Sequence, residues 1–234
     1  MICKVGLWGA SGRMGQELAF LLRDGYVIDK DQLELVDAVS HSGTLGSVEG
    51  VDVRRPSEPG REPLHVWIDF STPQGTIALL KEAKGPVVIG TTGLSDEEKE
   101  TVVVYAQTYP VCLAPNLSPG MAWLRKCLNL GVPSGFEVVL EETHHGKKVD
   151  SPSGSAHSLS AILKAKSGRS PQTFSVRAGG VPGDHVVRFV GEDEELRFEH
   201  RVWNRSVFAK GALMAALSLV KKKVPGLFSL DDLV

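Results

Sequence analysis

Ile2-Cys3-Lys4-Val5-Gly6-Leu7-Trp8-Gly9-Ala10-Ser11-Gly12-Arg13-Met14-Gly15 is the stretch whose reading decides the fold. Residues 2–8 form an apolar run of strand length, and an apolar pattern at helical spacing follows the last glycine through Leu22. The order is therefore strand, glycine turn, helix. Glycines at 9, 12 and 15 have the spacing required by a tight turn, by close backbone approach to a pyrophosphate and by packing of the helix on the strand. Ser11, Arg13 and Met14 lie between them and complete the candidate dinucleotide contacts. Gly6 reads as a packing glycine inside the strand.

Outward from this turn, short apolar strands are predicted at 33–39, 66–70, 87–89 and 111–113, with helices at 76–83 and 95–108. Alternating strands and helices imply an α/β, Rossmann-like, doubly wound parallel sheet. After Asn116 the rhythm changes to a helix at 121–130, a strand at 136–141, a helix, strands at 174–177, 185–190 and 194–202, and a helix at 206–222. This predicts a dinucleotide-binding domain from 1–116 plus 206–234, with a second, smaller α+β mixed-sheet domain at 117–205 for substrate binding and oligomerisation. The last helix is expected to pack on the first domain, and the glycine-rich 178–184 segment to be a mobile loop.

Two further loops sit at strand C-terminal ends, where open α/β sheets bind ligands: Gly90-Thr91-Thr92-Gly93 and Ala114-Pro115-Asn116-Leu117-Ser118. Gly90, Thr91, Thr92, Ala114 and Asn116 are the cofactor contacts expected there. At the end of the second strand, the place of an NAD-selecting carboxylate is taken by Ser40 and His41. Asp37 lies three residues earlier and reads as a strand residue facing elsewhere. Ser40, His41 and Ser42 suit a 2′-phosphate, with Arg13 as a cationic neighbour, so the cofactor is NADPH or NADH with a lean to NADPH.

A formal charge of −2 over 234 residues, with mixed signs and 42% hydrophobic content, describes a globular chain and argues against nucleic-acid binding. No apolar run reaches membrane-spanning length. Cys3, Cys112 and Cys127 are odd in number and widely spaced, which fits a reducing cytoplasm. The opening Met1–Lys4 leads straight into a strand, so no leader segment is expected.

Residues 142–156 read Glu-Thr-His-His-Gly-Lys-Lys-Val-Asp-Ser-Pro-Ser-Gly-Ser-Ala. Paired histidines and lysines are costly to bury unpaired. Pro152, Ser153 and Gly154 read as a turn delivering Ser155 to the start of a helix through Leu163, whose N–H groups and positive dipole end hold carboxylates. Lys148 and this helix start can grip one small dianion, and His144 or His145 can supply a proton near neutral pH. Neighbouring histidines on an extended segment point apart, and no second cluster has ligand spacing, so no metal is expected.

With the turn at 12–15, Asp69-Phe70-Ser71, Gly90–Gly93 and the 114–118 loop, the pattern Glu142-x-His144-x-x-x-Lys148-x-Asp150-x-Pro152-Ser153-Gly154-Ser155-Ala156 resembles the 4-hydroxy-tetrahydrodipicolinate (dihydrodipicolinate) reductase family over almost the whole chain. The resemblance implies hydride transfer from NAD(P)H to a cyclic dicarboxylate imine, in diaminopimelate and lysine biosynthesis. It implies His144 and Lys148 as catalytic residues, and His145, Ser153, Gly154 and Ser155 as carboxylate contacts. It also implies a homotetramer built through the second domain's sheet. The chain departs from the pattern at Ser155 for Thr, at Leu117 for Phe, at Thr72-Pro73 without a following arginine, and in a short 166–184 region.

Two competitors remain. An aspartate-semialdehyde-type dehydrogenase needs an activated nucleophilic cysteine, and Cys112 in an apolar strand is a poor one. A non-catalytic dinucleotide-binding sensor has no need of a proton donor beside a carboxylate-gripping turn.

Overall fold

A computed structural model of the chain describes residues 1–41, 46–60 and 63–234. Ser42, named above for the 2′-phosphate, lies outside them. The chain divides into two compact units, Met1–Leu117 with Phe208–Val234, and Ser118–Val207.

The first unit runs β1 (Ile2–Trp8), α1 (Arg13–Leu22), β2 (Tyr26–Ile28), β3 (Asp31–Val39), β4 (Ser47–Val48), β5 (Val51–Arg54), β6 (Val66–Asp69), α2 (Pro73–Glu82), β7 (Val87–Ile89), α3 (Asp96–Ala106) and β8 (Pro110–Leu113). The second contains α4 (Pro119–Asn129), β9 (Glu137–His144), α5 (Gly154–Ser167), β10 (Gln172–Arg177), β11 (Asp184–Val190) and β12 (Glu195–Arg201). Helix α6 (Ser206–Lys222) returns the chain to the first unit, which β13 (Gly226–Phe228) completes.

Among the described residues, the first sheet has the order β13-β8-β7-β6-β1-β3-β5-β4, with β2 antiparallel on β3. β1 lies parallel between β3 and β6, so connections leave it in opposite directions. That switch point is where a doubly wound sheet opens a crevice at its strand ends. Gly6 is a packing glycine, since a Cβ there would come 2.5 Å from the Trp67 ring. Trp8, Val39, Trp67, Leu79, Val87, Ile89 and Val111 form one buried core. Full burial of each large side chain is worth about 1.5–3 kcal/mol.

The second sheet has the order β10-β9-β11-β12, parallel at β10–β9 and antiparallel elsewhere. One face packs Leu140, Val187 and Phe189 against Met121, Leu128, Leu159 and Leu163 of α4 and α5. Helix α5 stops where Gly168 takes φ +74°, a conformation that disfavours side chains. β2, β4, β5 and β13 lie outside the expected strands; each is short, and β2 and β4 are strands by hairpin pairing with β3 and β5, while β5 and β13 are strands by parallel pairing with β3 and β8.

Candidate functional site

In the first unit, Gly9 sits at φ +89°, and a Cβ there would lie 2.6 Å from the Phe70 carbonyl oxygen. A Cβ on Gly15 would lie 2.4 Å from the Gly9 oxygen. Gly9 and Ala10 N–H both donate to Val39 O, at 3.0 and 2.9 Å, and Gly12 N–H closes the turn on Gly9 O at 3.0 Å. α1 starts with no side-chain cap and no acidic residue in its first turn, leaving a positive helix end for an anion. Gly9→Ala is expected to cost at least about 2 kcal/mol of stability, from the left-handed backbone plus overlap. Thermal melts and cofactor-induced fluorescence quenching would register the loss.

Not every expected cofactor contact faces outward. Ser40 is buried, with its hydroxyl 2.6 Å from that of Ser11, so it braces the turn from beneath. Asp37 is buried too and holds Arg54, with Arg54 Nε at 3.0 Å and Nη2 at 3.0 Å from the carboxylate. Arg13 is exposed and Met14 half-buried.

Thr91 is likewise turned inward. Asp69, at the end of β6, is fully buried and accepts from Ser71 N–H at 3.0 Å, Ser71 Oγ at 2.5 Å, Thr76 Oγ1 at 2.5 Å and Thr91 Oγ1 at 3.0 Å. Burial pushes its carboxyl up, and these hydroxyls partly offset that. The loops after β6 and β7 are thus tied to one side chain. Gly90 lies against the Phe70 ring, which a Cβ would approach to 2.4 Å. Thr92 is exposed, Ala114 is buried with its N–H on Ile89 O at 3.0 Å, and Asn116 is half-buried.

In the second unit the organiser is Glu142. It shares the inner face of β9 with His144 because alternate strand residues point the same way. Its side chain is wholly buried. It accepts from His144 Nδ1, from Arg177 Nη2 at 2.7 Å and from Ser153 N–H at 3.3 Å. Burial alone would raise this carboxyl, but hydrogen bonds from Arg177, Ser175 and His144 carry it down to about 2. His144 is lowered by burial and by the nearby Lys148 and Arg177 cations, against the pull of Glu142. The pair is therefore a carboxylate holding a neutral imidazole by Nδ1–H, which leaves Nε2 beside Gly183.

Lys148 is half-buried, and its Nζ lies 2.8 Å from Asp150 Oδ1. His145 is half-buried, with its N–H on Val181 O at 2.8 Å. The 178–183 segment, expected as a mobile loop, is instead bonded along residues 144–146: Ala178 N–H donates to His144 O at 2.9 Å and Gly146 N–H to Gly179 O at 3.3 Å.

Ser153, expected to touch a carboxylate, is buried and fully engaged. It is the N-cap of α5, accepting Ala156 N–H at 3.2 Å, and its hydroxyl lies 3.4 Å from His185 Nε2. Burial drives His185 down to about 3, so it stays neutral. Gly154 opens the helix, where its N–H adds a small pull, after that of Lys148, in lowering the Asp150 carboxyl. Ser155 follows, half-buried.

At Cys112 and Cys3 the thiol chemistry of a semialdehyde-type dehydrogenase has no footing. Burial pushes Cys112 up to about 12 and Cys3 to about 11.

Residues 3–117 match the family model of the dihydrodipicolinate reductase N-terminus, and residues 122–234 match that of its C-terminus. The chain belongs to the dihydrodipicolinate reductase family. The 4-hydroxy-tetrahydrodipicolinate reductase of Bdellovibrio bacteriovorus is 39% identical over 99% of this chain and 96% of its own. That of Xanthomonas campestris pv. campestris is 39% identical over 99% and 97%. Among solved structures, the dipicolinate-bound dihydrodipicolinate reductase from Paenisporosarcina sp. TG-14 superposes with TM-score 0.75 at 22% identity, covering all of both chains. That likeness supports the Rossmann-like fold with its smaller mixed sheet.

The two dihydrodipicolinate reductase halves meet close to the structural division at Leu117 and Ser118. Glu142 and Asp69 stand in the motifs quoted above with no role assigned from sequence, and Arg177 and His185 join the site only through the fold. The Glu-x-His spacing on a strand was a readable sign of a shared face. Arg177 had no such sign, because only the β10–β9 pairing sets it opposite His144.

Proposed function

We propose that the protein reduces the dihydrodipicolinate imine derived from 4-hydroxy-tetrahydrodipicolinate to tetrahydrodipicolinate, with NADPH or NADH, in diaminopimelate and lysine biosynthesis. The observation that carries this reading is the convergence of Lys148, an oriented His144 and the start of α5 on the end of β9, in a chain matched by the family end to end.

The cradle fits a dinucleotide, because the space that a Cβ would fill is taken at Gly15 by the turn's own backbone and at Gly9 by the backbone of Phe70, so both positions stay free of side chains. Gly9, Ser11, Gly12, Arg13, Met14 and Gly15 would hold the pyrophosphate and ribose, with Gly90, Thr92, Ala114 and Asn116 nearer the nicotinamide. The bound cofactor supplies a hydride. In the second unit, His145, Gly154 and Ser155 hold the substrate carboxylates. Hydride addition to a conjugated imine leaves electron density on the enamine side. Lys148 delivers a proton there, and His144 stabilises the charge.

With Asp37 engaged by Arg54, Arg13 is the cation suited to a 2′-phosphate, which favours NADPH. Steady-state oxidation at 340 nm, with substrate made in situ from pyruvate and aspartate semialdehyde, tests both points. Turnover with a lower KM for NADPH is expected; cofactor binding without turnover would favour the sensor reading, and a strong NADH preference would reject the cofactor choice.

The outer face of the second sheet exposes Phe174 and Val176 beside Glu141 and Arg188. A homotetramer formed through this face would cover them. Sedimentation should then give four times the 25.2 kDa of one chain. Cytoplasmic residence fits three free thiols. Among the described residues no helix is long and apolar enough to cross a membrane.

A further inference from the structure

On the carboxylate-binding role proposed for residues 144–156, the chain already places a carboxylate of its own in that grip. Asp150 Oδ1 lies 2.8 Å from Lys148 Nζ, and the nearby Gly154 N–H at the start of α5 adds a weaker pull on the same carboxylate. While Asp150 holds the Lys148 ammonium, an incoming carboxylate must displace it.

The backbone beneath this side chain is held separately. Arg177 Nη2 donates to Asp150 O at 2.6 Å and is itself anchored on Glu142 at 2.7 Å. The Asp150 side chain is 57% exposed, against 23% for Lys148. Its carboxylate can therefore rotate into water about its own side-chain bonds while the main chain, pinned by Arg177, keeps its place. A fixed backbone under an exposed anion is a two-position device whose second position is solvent.

We propose that Asp150 is a positioning residue that stands in for a substrate carboxylate: it holds Lys148 and the start of α5 together in the unliganded protein and leaves when a dicarboxylate arrives. It competes for the donors that the ligand uses, so it sets affinity from inside the site. An exposed ion pair is a weak competitor. Removing it should tighten dicarboxylate binding by about two- to fivefold, and the gain should depend on Lys148.

Calorimetric titration of the full chain with pyridine-2,6-dicarboxylate tests this on the wild type, Asp150→Asn, Asp150→Ala, Lys148→Ala and the double variant Lys148→Ala/Asp150→Asn. A tightening in Asp150→Asn that vanishes when Lys148 is absent supports the proposal, and damage to the turn cannot mimic a gain in affinity. Asp150→Ala should change binding in the same direction, so failure of one variant to fold leaves the other to decide. Should the wild type bind through Lys148 while both Asp150 variants bind no tighter, or more weakly, the stand-in role is overturned and the dicarboxylate reading stands. If the wild type does not bind, or binds equally well as Lys148→Ala, the dicarboxylate reading falls and takes the stand-in with it.

Discussion

Lys148→Ala lowers kcat/KM for the imine by about 10²–10⁴-fold, the range that a positioned proton donor contributes. Two losses combine. On the role proposed for Lys148, the variant would lose the ammonium beside a substrate carboxylate, which raises KM, and the proton source for the enamine side, which lowers kcat. Lys148→Arg separates them, since a guanidinium keeps the charge but gives up no proton near neutral pH. It should restore much of the binding and little of the turnover. Equal activity in wild type and Lys148→Ala would remove Lys148 from the reaction. Little structural cost is expected, because the Lys148 side chain is half-buried and its ion pair at 2.8 Å is with the exposed Asp150.

Glu142→Gln should be the second most damaging change, and for a different reason. The buried carboxylate is the shared acceptor for His144, Arg177 and the Ser153 N–H. A neutral amide leaves the Arg177 charge without its counter-ion, and breaking one side of a buried pair costs about 3–5 kcal/mol. The amide can also present N–H to His144, which favours the opposite imidazole tautomer. Activity should fall on the order of 10–100-fold, as for other carboxylates that orient an imidazole. A thermal melt and a kcat/KM ratio read both effects.

Acid unfolding gives the same residue a signature. Folding lowers the Glu142 carboxyl from 4.5 to about 2, so its contribution is complete above pH 4.5 and is lost as pH falls towards 2. His185 acts earlier. Burial lowers it from 6.5 to about 3, so the folded state refuses a proton that the unfolded chain accepts, and stability falls once pH drops below 6.5. Glu142→Gln should flatten the lower part of the acid limb and leave the part beginning at 6.5.

The long elements were legible because their signals are local. Three glycines at spacing three between a strand and a helix announce the turn, and α3 begins at a capping box of Ser95 and Glu98 with Asp96, Glu97 and Glu98 at its positive end. Side-chain direction was less legible. Ser40, Thr91 and Ser153 carry hydroxyls in the right loops, yet each is turned inward by a partner that sequence does not reveal: Ser11, Asp69 and the first turn of α5. Hydroxyls at such loops serve the backbone as readily as a ligand. Arg177 and His185 were illegible for a related reason, because they reach the site through strand pairings that join distant segments.

Strand β13 pairs in parallel with β8, and the buried face of α6 belongs to the same unit as β1. During synthesis the second unit, continuous in the chain from Ser118 to Val207, can complete its own sheet as soon as it leaves the ribosome. The first unit, begun earlier, must wait with an open edge until residues 208–234 have been made. Order of appearance and order of completion are thus reversed, and shortening the chain after residue 207 would cripple the half that was translated first.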